Sequence, residues 1–453
     1  MPKLILINPV GKKSGYLMSS ISRFAPLGLA YIAAATPDSW DIEIIDENHT
    51  DFLYKPADLV GITAFTSNIN RAYDIAQVYR RNGTKVIIGG IHASMTPDET
   101  SHYADAVVIG EAEEIWPQVI RDFEQDNLSR RYEGPHINLS RGNIRPRRDL
   151  LNPNYFWQSV QTSRGCPFDC YFCSVSRYLG RRYRQRQVED VLDEIASIES
   201  PHIAFVDDNL IGYGPKSQER AKALFRGMIK HNLNKKWWMQ TSINAAEDEE
   251  VIRLAARAGC LFVFIGFETI DQGTLKKMDK GINLKSGVDS YKNTANAFHR
   301  HGIGVLGAFI LGNDHELPPY YQRLARFLLR SGIDAFQISI LTPLPGTRLM
   351  DDKLASDELI YDDFPGDWEK YRFSYMVHKT RGVKPEDVYI GDNYIKSRLY
   401  SFPFFHYRML RSFLLLKNPT NFMVTLKLNQ ALKRSWQNAH YYHKYPHRFD
   451  SRK

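Results

Sequence analysis

Arg164-Gly165-Cys166-Pro167-Phe168-Asp169-Cys170-Tyr171-Phe172-Cys173 is the stretch on which the reading of this 453-residue chain turns. Three of the four cysteines fall within it, spaced C-x3-C-x2-C. Three thiolates this close on one loop can hold three corners of a cubane iron–sulfur cluster, which takes four cysteines when the protein supplies every ligand. With no fourth cysteine nearby, one iron is left open to a small molecule. Zinc is the other chemistry for such a loop, but it takes a fourth Cys or His at a spacing absent here. Four cysteines also cannot staple a chain of this size, so a disulfide scaffold is excluded. Cys260 precedes LFVFIGFE in a helix-to-strand turn and reads as a buried, inert thiol.

Outward from the loop, residues 158–346 alternate strand and helix signals. SVQTS, HIAFVDD, WWMQTSI, LFVFIGFE, GVLGAFILG and AFQISIL are six strand candidates. Six strands make a partial (β/α)6 barrel with its active face at the strand C-termini. Residues 1–125 alternate in the same way, with five short apolar runs (KLILIN, DIEIID, DLVGIT, KVIIGG, DAVVIG) between helical stretches. These predict an α/β fold with a doubly wound, Rossmann-like parallel sheet. Ligands of such sheets bind beyond the carboxyl ends of the strands. The candidate residues there are Asn8, Thr66, Ser67, Gly89, Gly90, His92, Gly110 and Glu111. Residues 126–157 mix Arg, Gly and Pro without apolar periodicity and read as a linker. Residues 347–453 read as a mainly helical C-terminal domain.

Composition narrows the class. At 43% hydrophobic and 24% charged residues, the chain is too apolar to be disordered. No apolar run approaches the roughly 18–20 residues that span a bilayer. The opening MPKLILINPVGKK places an apolar strand before its lysines, the wrong order for a secretory signal, so a reducing, cytoplasmic location is expected. From Lys396 to Lys453 there are 12 lysines or arginines and one acid, Asp450, a net +11 against +8 for the whole chain. The body is therefore slightly acidic and the tail strongly basic and aromatic. Such a tail suits a solvated helical cap or peripheral contact with an anionic membrane face.

The cysteine loop after a first barrel strand, with Phe172 before the third cysteine, resembles the radical S-adenosylmethionine superfamily. The resemblance implies that Cys166, Cys170 and Cys173 bind a [4Fe-4S] cluster. Its open iron chelates S-adenosylmethionine, and one electron from a flavodoxin or ferredoxin yields a 5′-deoxyadenosyl radical. Asp207 and Asp208 sit where that family faces the S-adenosylmethionine amino group, although the usual glycine–glycine–glutamate is absent. Asn244 sits where a polar residue meets the ribose. Gly266-Phe267-Glu268 resembles the glycine-x-glutamate that ends the fourth strand, and Gly307 to Gly312 the adenine-binding segment.

The N-terminal region resembles the cobalamin-binding domain that precedes many such barrels, and the two resemblances cover about residues 1–347. The carrying stretches are Asn8-Pro9, Asp46-Glu47-Asn48, Gly89-Gly90-Ile91-His92 and Gly110-Glu111-Ala112-Glu113. The Asp-x-His-x-x-Gly loop that supplies a lower cobalt ligand is not matched, so His49 is not expected to ligate cobalt. The pairing implies a cobalamin-dependent radical enzyme similar to the anaerobic Mg-protoporphyrin monomethyl ester cyclase and hopanoid methylase group. The leading expectation is methyl transfer to an unactivated carbon of a hydrophobic, lipid or tetrapyrrole-like substrate. Oxidative cyclisation and ring rearrangement are served by the same architecture. A methylthiotransferase acting on tRNA would carry three further cysteines in the N-terminal domain, which has none. Nucleic acid is therefore not an expected partner.

Overall fold

The computed structural model describes residues 1–11, 23–141, 145–447 and 449. Lys12 and Lys13 of the opening stretch and the last basic residues of the tail lie outside them. Among the described residues, the first sheet contains β1 (Lys3–Asn8), β2 (Asp41–Asp46), β3 (Leu59–Thr63), β4 (Lys85–Gly89), β5 (Ala106–Gly110) and β6 (Arg131–Gly134). All pair in parallel, in the order β2-β1-β3-β4-β5-β6. Leu4, Ile5, Leu6 and Ile7 are all buried because helices cover both faces. Ile5 and Ile7 pack with Val60, Ile62, Ile69 and Ala72 on one side. Leu4 and Leu6 pack with Leu29, Trp116 and Val119 on the other.

The strand order reverses at β1, between β2 and β3. The crevice at that switch point opens beyond Asn8 and Thr63. The stretch expected to be a linker contains β6. Its sequence, RYEG, buries only Tyr132, so an edge strand of this kind leaves no apolar pattern to read.

The barrel begins with β7 (Gln158–Val160). A short antiparallel ribbon, β8 (Ser163–Arg164) with β9 (Arg184–Gln185), then brackets the cysteine loop. Next come β10 (His202–Phe205), β11 (Lys236–Thr241), β12 (Cys260–Glu268), β13 (Gly304–Leu311) and β14 (Ala335–Ile340). The order β14-β13-β12-β11-β10-β7 is parallel throughout. Cys260 is therefore the first residue of a strand rather than part of a turn.

Register and stacking show which side chains face the lumen. Trp237 stacks on Phe225 of the covering helix Pro215–Lys230, at 5.1 Å. Its neighbour Trp238 must point inward, where it lies on Phe262 at 5.3 Å and 7°. Ser159, Ala204, Trp238 and Phe262 form one register row at the lumen floor. The rows above hold Gln240, Phe264 and Leu306, then Gly266, Ala308 and Gln337.

The C-terminal residues do not form a core of their own. Leu428, Leu432 and Trp436 join the barrel core, while Trp368, Tyr371 and Val377 join one core of the first domain. Helices Phe404–Leu416 and Pro419–Gln437 close the barrel's far end, while Pro385–Tyr400 runs along the helix Pro318–Arg330. Buried Arg408 donates to the Asp334 carbonyl and to Asn429 Oδ1, each at 2.8 Å. Ser412 donates to Asp334 Oδ1 at 2.6 Å, and Asn421 to the Gly302 carbonyl at 2.6 Å. Asp334 and Gly302 precede β14 and β13, so these two basic helices lie at the strand N-termini, away from the mouth. Among the described residues no helix is long and apolar enough to cross a membrane.

Gly110 ends β5 at φ +80°, and a Cβ there would stand 2.6 Å from the Gly134 carbonyl oxygen of β6. Gly110→Ala is expected to destabilise the protein by about 1–3 kcal/mol. A thermal melt of the full chain measures this as a lowered midpoint.

Candidate active site

The cysteine loop is held from three sides. Gly165 turns at φ +85°, where a Cβ would lie 2.4 Å from the Arg182 carbonyl oxygen, so only glycine admits this close return. Cys166 N–H donates to the Gly180 carbonyl at 3.2 Å, and Tyr171 N–H to the Met278 carbonyl at 3.0 Å. From the helix Arg348–Ala355, Arg348 donates to the Asp169 carbonyl at 2.5 Å, and Asp352 accepts the Tyr171 hydroxyl at 2.7 Å.

All four cysteines are free thiols. Burial pushes Cys166, Cys170 and Cys173 up, Cys173 to about 12, and the charge of Cys170 adds to this at the other two. Three mutually repelling soft ligands on one loop suit a polynuclear iron centre that neutralises them. Among the described residues no three donors converge as the ligands of a single metal ion would. A cubane spreads its thiolates over different irons. Cys260 is buried in the sheet, and its thiol donates to the Phe262 carbonyl at 3.6 Å.

Across from the loop, the β12–β13 register slips between Gly266 and Glu268. Glu268 adopts φ +66° and folds back over Gly266, where a Cβ would meet its Oε1 at 2.3 Å. This explains the glycine-x-glutamate spacing in steric terms. Glu268 Oε1 accepts from Lys280 Nζ at 2.6 Å. Although burial disfavours its charge, Lys280 is held protonated by Glu268 and the facing thiolates. Sequence reasoning missed Lys280, because in MDKG it resembles an ordinary helix end.

The acidic pair divides its roles. Asp207 is fully buried and accepts from Thr162 N–H at 3.0 Å, Thr162 Oγ1 at 2.9 Å and Ser163 Oγ at 2.5 Å. It therefore ties the end of β10 to the start of β8, a structural role instead of the ligand contact expected of it. Asp208 is open to water yet walled by protein. Its desolvation, helped by the Asp207 charge, pushes its carboxyl up to about 7. It lies within electrostatic reach of Cys166 and Cys173.

Asn244 is buried and donates to the Gly212 carbonyl at 3.1 Å, while its Oδ1 has no partner among the described residues. A buried acceptor left open at a strand end suits a ligand hydroxyl. Glu316, also missed, follows β13 fully buried. It accepts from Gly312 N–H at 2.8 Å and Asn313 Nδ2 at 2.6 Å, and burial raises it to about 8.

In the first domain, Asn8 donates to Asp46 Oδ1 at 2.8 Å. Thr66 and Ser67 sit in a short helical turn beyond β3, beside Phe65, which is 65% exposed. Gly89 leads into Gly90, whose φ of +93° and approach to Thr63 Oγ1 (2.7 Å to a Cβ) require glycine for the chain's close return past the end of β3.

Two candidates are engaged elsewhere. His92 is buried between Thr66 Oγ1 at 3.2 Å and Glu99 Oε1 at 3.3 Å, and Glu99 also accepts from Tyr73 and Trp368. Glu111 spends its carboxylate on Arg164 Nη1 and Arg184 Nη1, each at 3.0 Å. Burial alone would raise Glu111, but Arg184 and Arg164 hold it below the usual carboxylate range. Neither side chain is free for a ligand. His49 packs edge-on against Tyr155 at 4.4 Å.

The two sets of strand ends face each other. Tyr178, just after the cysteine loop, donates to the Gly110 carbonyl at 3.3 Å, and Met95 beyond β4 touches Gly346 beyond β14.

Comparison with known proteins gives two family matches, the Radical SAM superfamily over residues 160–328 and the B12 binding domain over residues 15–120. An uncharacterized methyltransferase of Pyrococcus horikoshii is 30% identical over 403 residues, 80% of this chain and 85% of that protein. Bacteriochlorophyllide d C-12(1)-methyltransferase of Chlorobaculum tepidum is 28% identical, covering 87% and 86%. Hopanoid C-2 methylase of Rhodopseudomonas palustris is 27% identical, covering 77% and 68%. The solved structure of the methyltransferase TsrM from Kitasatospora setae, with cobalamin and a [4Fe-4S] cluster bound, superposes with a TM-score of 0.65 at 16% identity, covering 95% and 99%.

Cys170→Ala is expected to cut reconstituted iron below about a tenth of the wild-type content and to abolish the cluster's visible absorbance, whereas Cys260→Ser retains both. Glu316 supplies a pH signature. An unfolded glutamate titrates near ~4.3, so between there and about 8 the folded chain binds the extra proton and loses stability as pH rises. Melting temperatures from pH 5 to 8 should fall more steeply for wild type than for Glu316→Gln.

Proposed function

This chain belongs to the radical S-adenosylmethionine superfamily, in its cobalamin-dependent methyltransferase branch, and on that premise we propose that it methylates an unactivated carbon of a hydrophobic substrate, a tetrapyrrole or polycyclic lipid. The carrying observation is the lumen. Its register rows hold Trp238, Phe262, Phe264 and Leu306, with Gln240 and Gln337 as amides and no charged side chain. In the top row Ala308 is small, while Glu268 covers Gly266. Ser159 Oγ and Trp238 Nε1 at the floor are buried without partners among the described residues, and so are available to a substrate heteroatom.

When bound, the cluster and S-adenosylmethionine supply the hydrogen-abstracting radical, and cobalamin carries the methyl group. The chain's residues position these. Cys166, Cys170 and Cys173 would hold the cluster by three corners and leave the fourth to S-adenosylmethionine. Lys280, Glu268 and Asp208 place both signs of charge around that opening, as an amino-acid moiety requires. Asn244 Oδ1 would accept from a ribose hydroxyl, and the crevice beyond β1 and β3 would receive the corrin side. The aromatic lumen excludes water that would quench a radical. A low-potential flavodoxin or ferredoxin completes the electron supply. The relatives' named substrates, a bacteriochlorophyllide and a hopanoid, are both large and apolar.

The C-terminal face supports peripheral contact with an anionic membrane surface on the cytoplasmic side. Helix Phe404–Leu416 buries Arg408 and Ser412 and exposes Tyr407, Leu410, Phe413 and Leu414, Leu410 at 59% and Leu414 at 61%. Exposed Phe402 and Met423 extend the patch, with Arg398, Lys417 and Lys427 exposed around it. Apolar side chains ringed by cations fit anionic headgroups. This face lies at the barrel's far end, so contact there would anchor the protein instead of feeding the lumen.

Anaerobic reconstitution with iron, sulfide and hydroxocobalamin should give one cobalamin and one [4Fe-4S] cluster per chain. Incubation with S-adenosylmethionine, a reductant and a panel of tetrapyrroles and polycyclic lipids should then yield a product heavier by one methylene. Cluster without cobalamin would sink the methyl-transfer reading. Separately, phosphatidylglycerol vesicles should bind the wild type and lose the double variant Leu410→Glu/Leu414→Glu by at least about tenfold; equal binding would refute membrane contact.

A further inference from the structure

Between the first sheet and the cysteine loop lies a closed group of charges. Arg164, two residues before the first cysteine, reaches back into the N-terminal domain with both arms of its guanidinium. Nη1 donates to Glu111 Oε2 at 3.0 Å and Nη2 to Glu113 Oε1 at 2.5 Å. Its Nε donates to Gln161 Oε1 at 2.9 Å, and its plane lies 5.6 Å from the Tyr31 ring. Arg184, on the strand that leaves the loop, binds the same Glu111 through both nitrogens and also donates to the carbonyls of Ile137 at 2.8 Å and Leu179 at 3.0 Å. Side-chain exposure is 1% for Glu111, 8% for Glu113, 9% for Arg164 and 7% for Arg184.

Both strands of the ribbon that brackets the cysteines, β8 and β9, are thus riveted to the residues that follow β5. A bidentate guanidinium fixes orientation as well as distance. Two positive and two negative groups balance, so the buried charges are neutralised when domain and loop meet in this register.

We propose that Glu111, Glu113, Arg164 and Arg184 form the positioning device that holds the cysteine loop against the N-terminal domain and so sets the separation of the cluster from cobalamin. Their side chains are engaged with one another and with neighbouring protein groups, so they act through the ribbon. The cofactor half of the statement rests on the function proposed above, whereas the loop half does not.

The test uses the full chain with Glu111→Gln, Glu113→Gln and Arg164→Lys. Asp98→Asn, which removes an exposed ion pair to Arg131, is the control. In the cofactor-free protein, hydrogen exchange is followed across residues 164–173. In the reconstituted protein, the dipolar coupling between the reduced cluster and cob(II)alamin reports their separation. Both glutamine variants should exchange at least about tenfold faster in the loop and give a broadened distance distribution. Arg164→Lys, which keeps the charge but not the fork, should fall between them and wild type, and Asp98→Asn should match wild type.

Should Glu111→Gln fail to fold, Glu113→Gln and Arg164→Lys carry the test. A variant that folds by circular dichroism but cannot assemble the cluster also supports the proposal, since none of these side chains is a cluster ligand. The proposal is overturned if Glu113→Gln and Arg164→Lys fold, load iron fully, and keep wild-type exchange and wild-type coupling. Failure of the chain to bind cobalamin would strike the functional reading, leaving the exchange measurement to decide the positioning role.

Discussion

Two arginines and two glutamates shut away from water between the first sheet and the cysteine loop neutralise one another across the boundary between them. An exposed ion pair contributes about 0–1 kcal/mol, so the many surface pairs on this chain decide little. Removing one member of a buried pair costs about 3–5 kcal/mol, because the remaining charge is stranded. The assembled group adds little net stability over an apolar contact of the same shape. It does penalise every other way of docking the two halves. The opposition of the strand ends, and with it the space in which two cofactors and a substrate could meet, depends on that penalty.

The same logic of buried polarity organises the far end of the barrel. Asp334 receives His299 Nε2 at 2.7 Å, Val305 N–H at 2.8 Å and Ser412 Oγ at 2.6 Å. Arg408 and Asn429 take its carbonyl. Helix Phe404–Leu416 is turned by these bonds so that Arg408 and Ser412 face the protein with Met409 and Leu416, while Tyr407, Leu410, Phe413 and Leu414 face out. Burial would raise Asp334, yet His299 and the donors around it hold the carboxyl below its usual range. The barrel therefore has two unlike ends: a mouth built from strand C-termini and the cysteine loop, and a base sealed by basic helices with an apolar outer surface.

Much of this was legible from the sequence alone. The three-cysteine spacing, the six barrel strands and the parallel first sheet follow from local rules: thiolate chemistry on a short loop, and apolar runs too short for helices. Gly90 and Gly266 were legible as glycines, and the structure supplies the reason, a close backbone return at one and a folded-back glutamate at the other. The strand β6 was not legible, since an edge strand with one buried side chain carries no periodicity.

Roles, as opposed to positions, were decided by the tertiary structure. Asp207 and Asp208 are adjacent in the chain, yet one clamps a strand while the other faces the cysteines; no local pattern separates them. Glu111 and His92 lie at strand ends, as a ligand contact would require, but long-range partners at Arg164, Arg184 and Glu99 claim their side chains. Lys280 reaches the cysteine loop only because the segment after β12 folds back across it. The sequence by itself determined which elements form and which chemistry the cysteine loop supports, because backbone preference and ligand spacing are encoded within a few residues. Which charges neutralise one another, and which face of a helix meets water, were decided only by folding, because those energies belong to pairs distant in the chain.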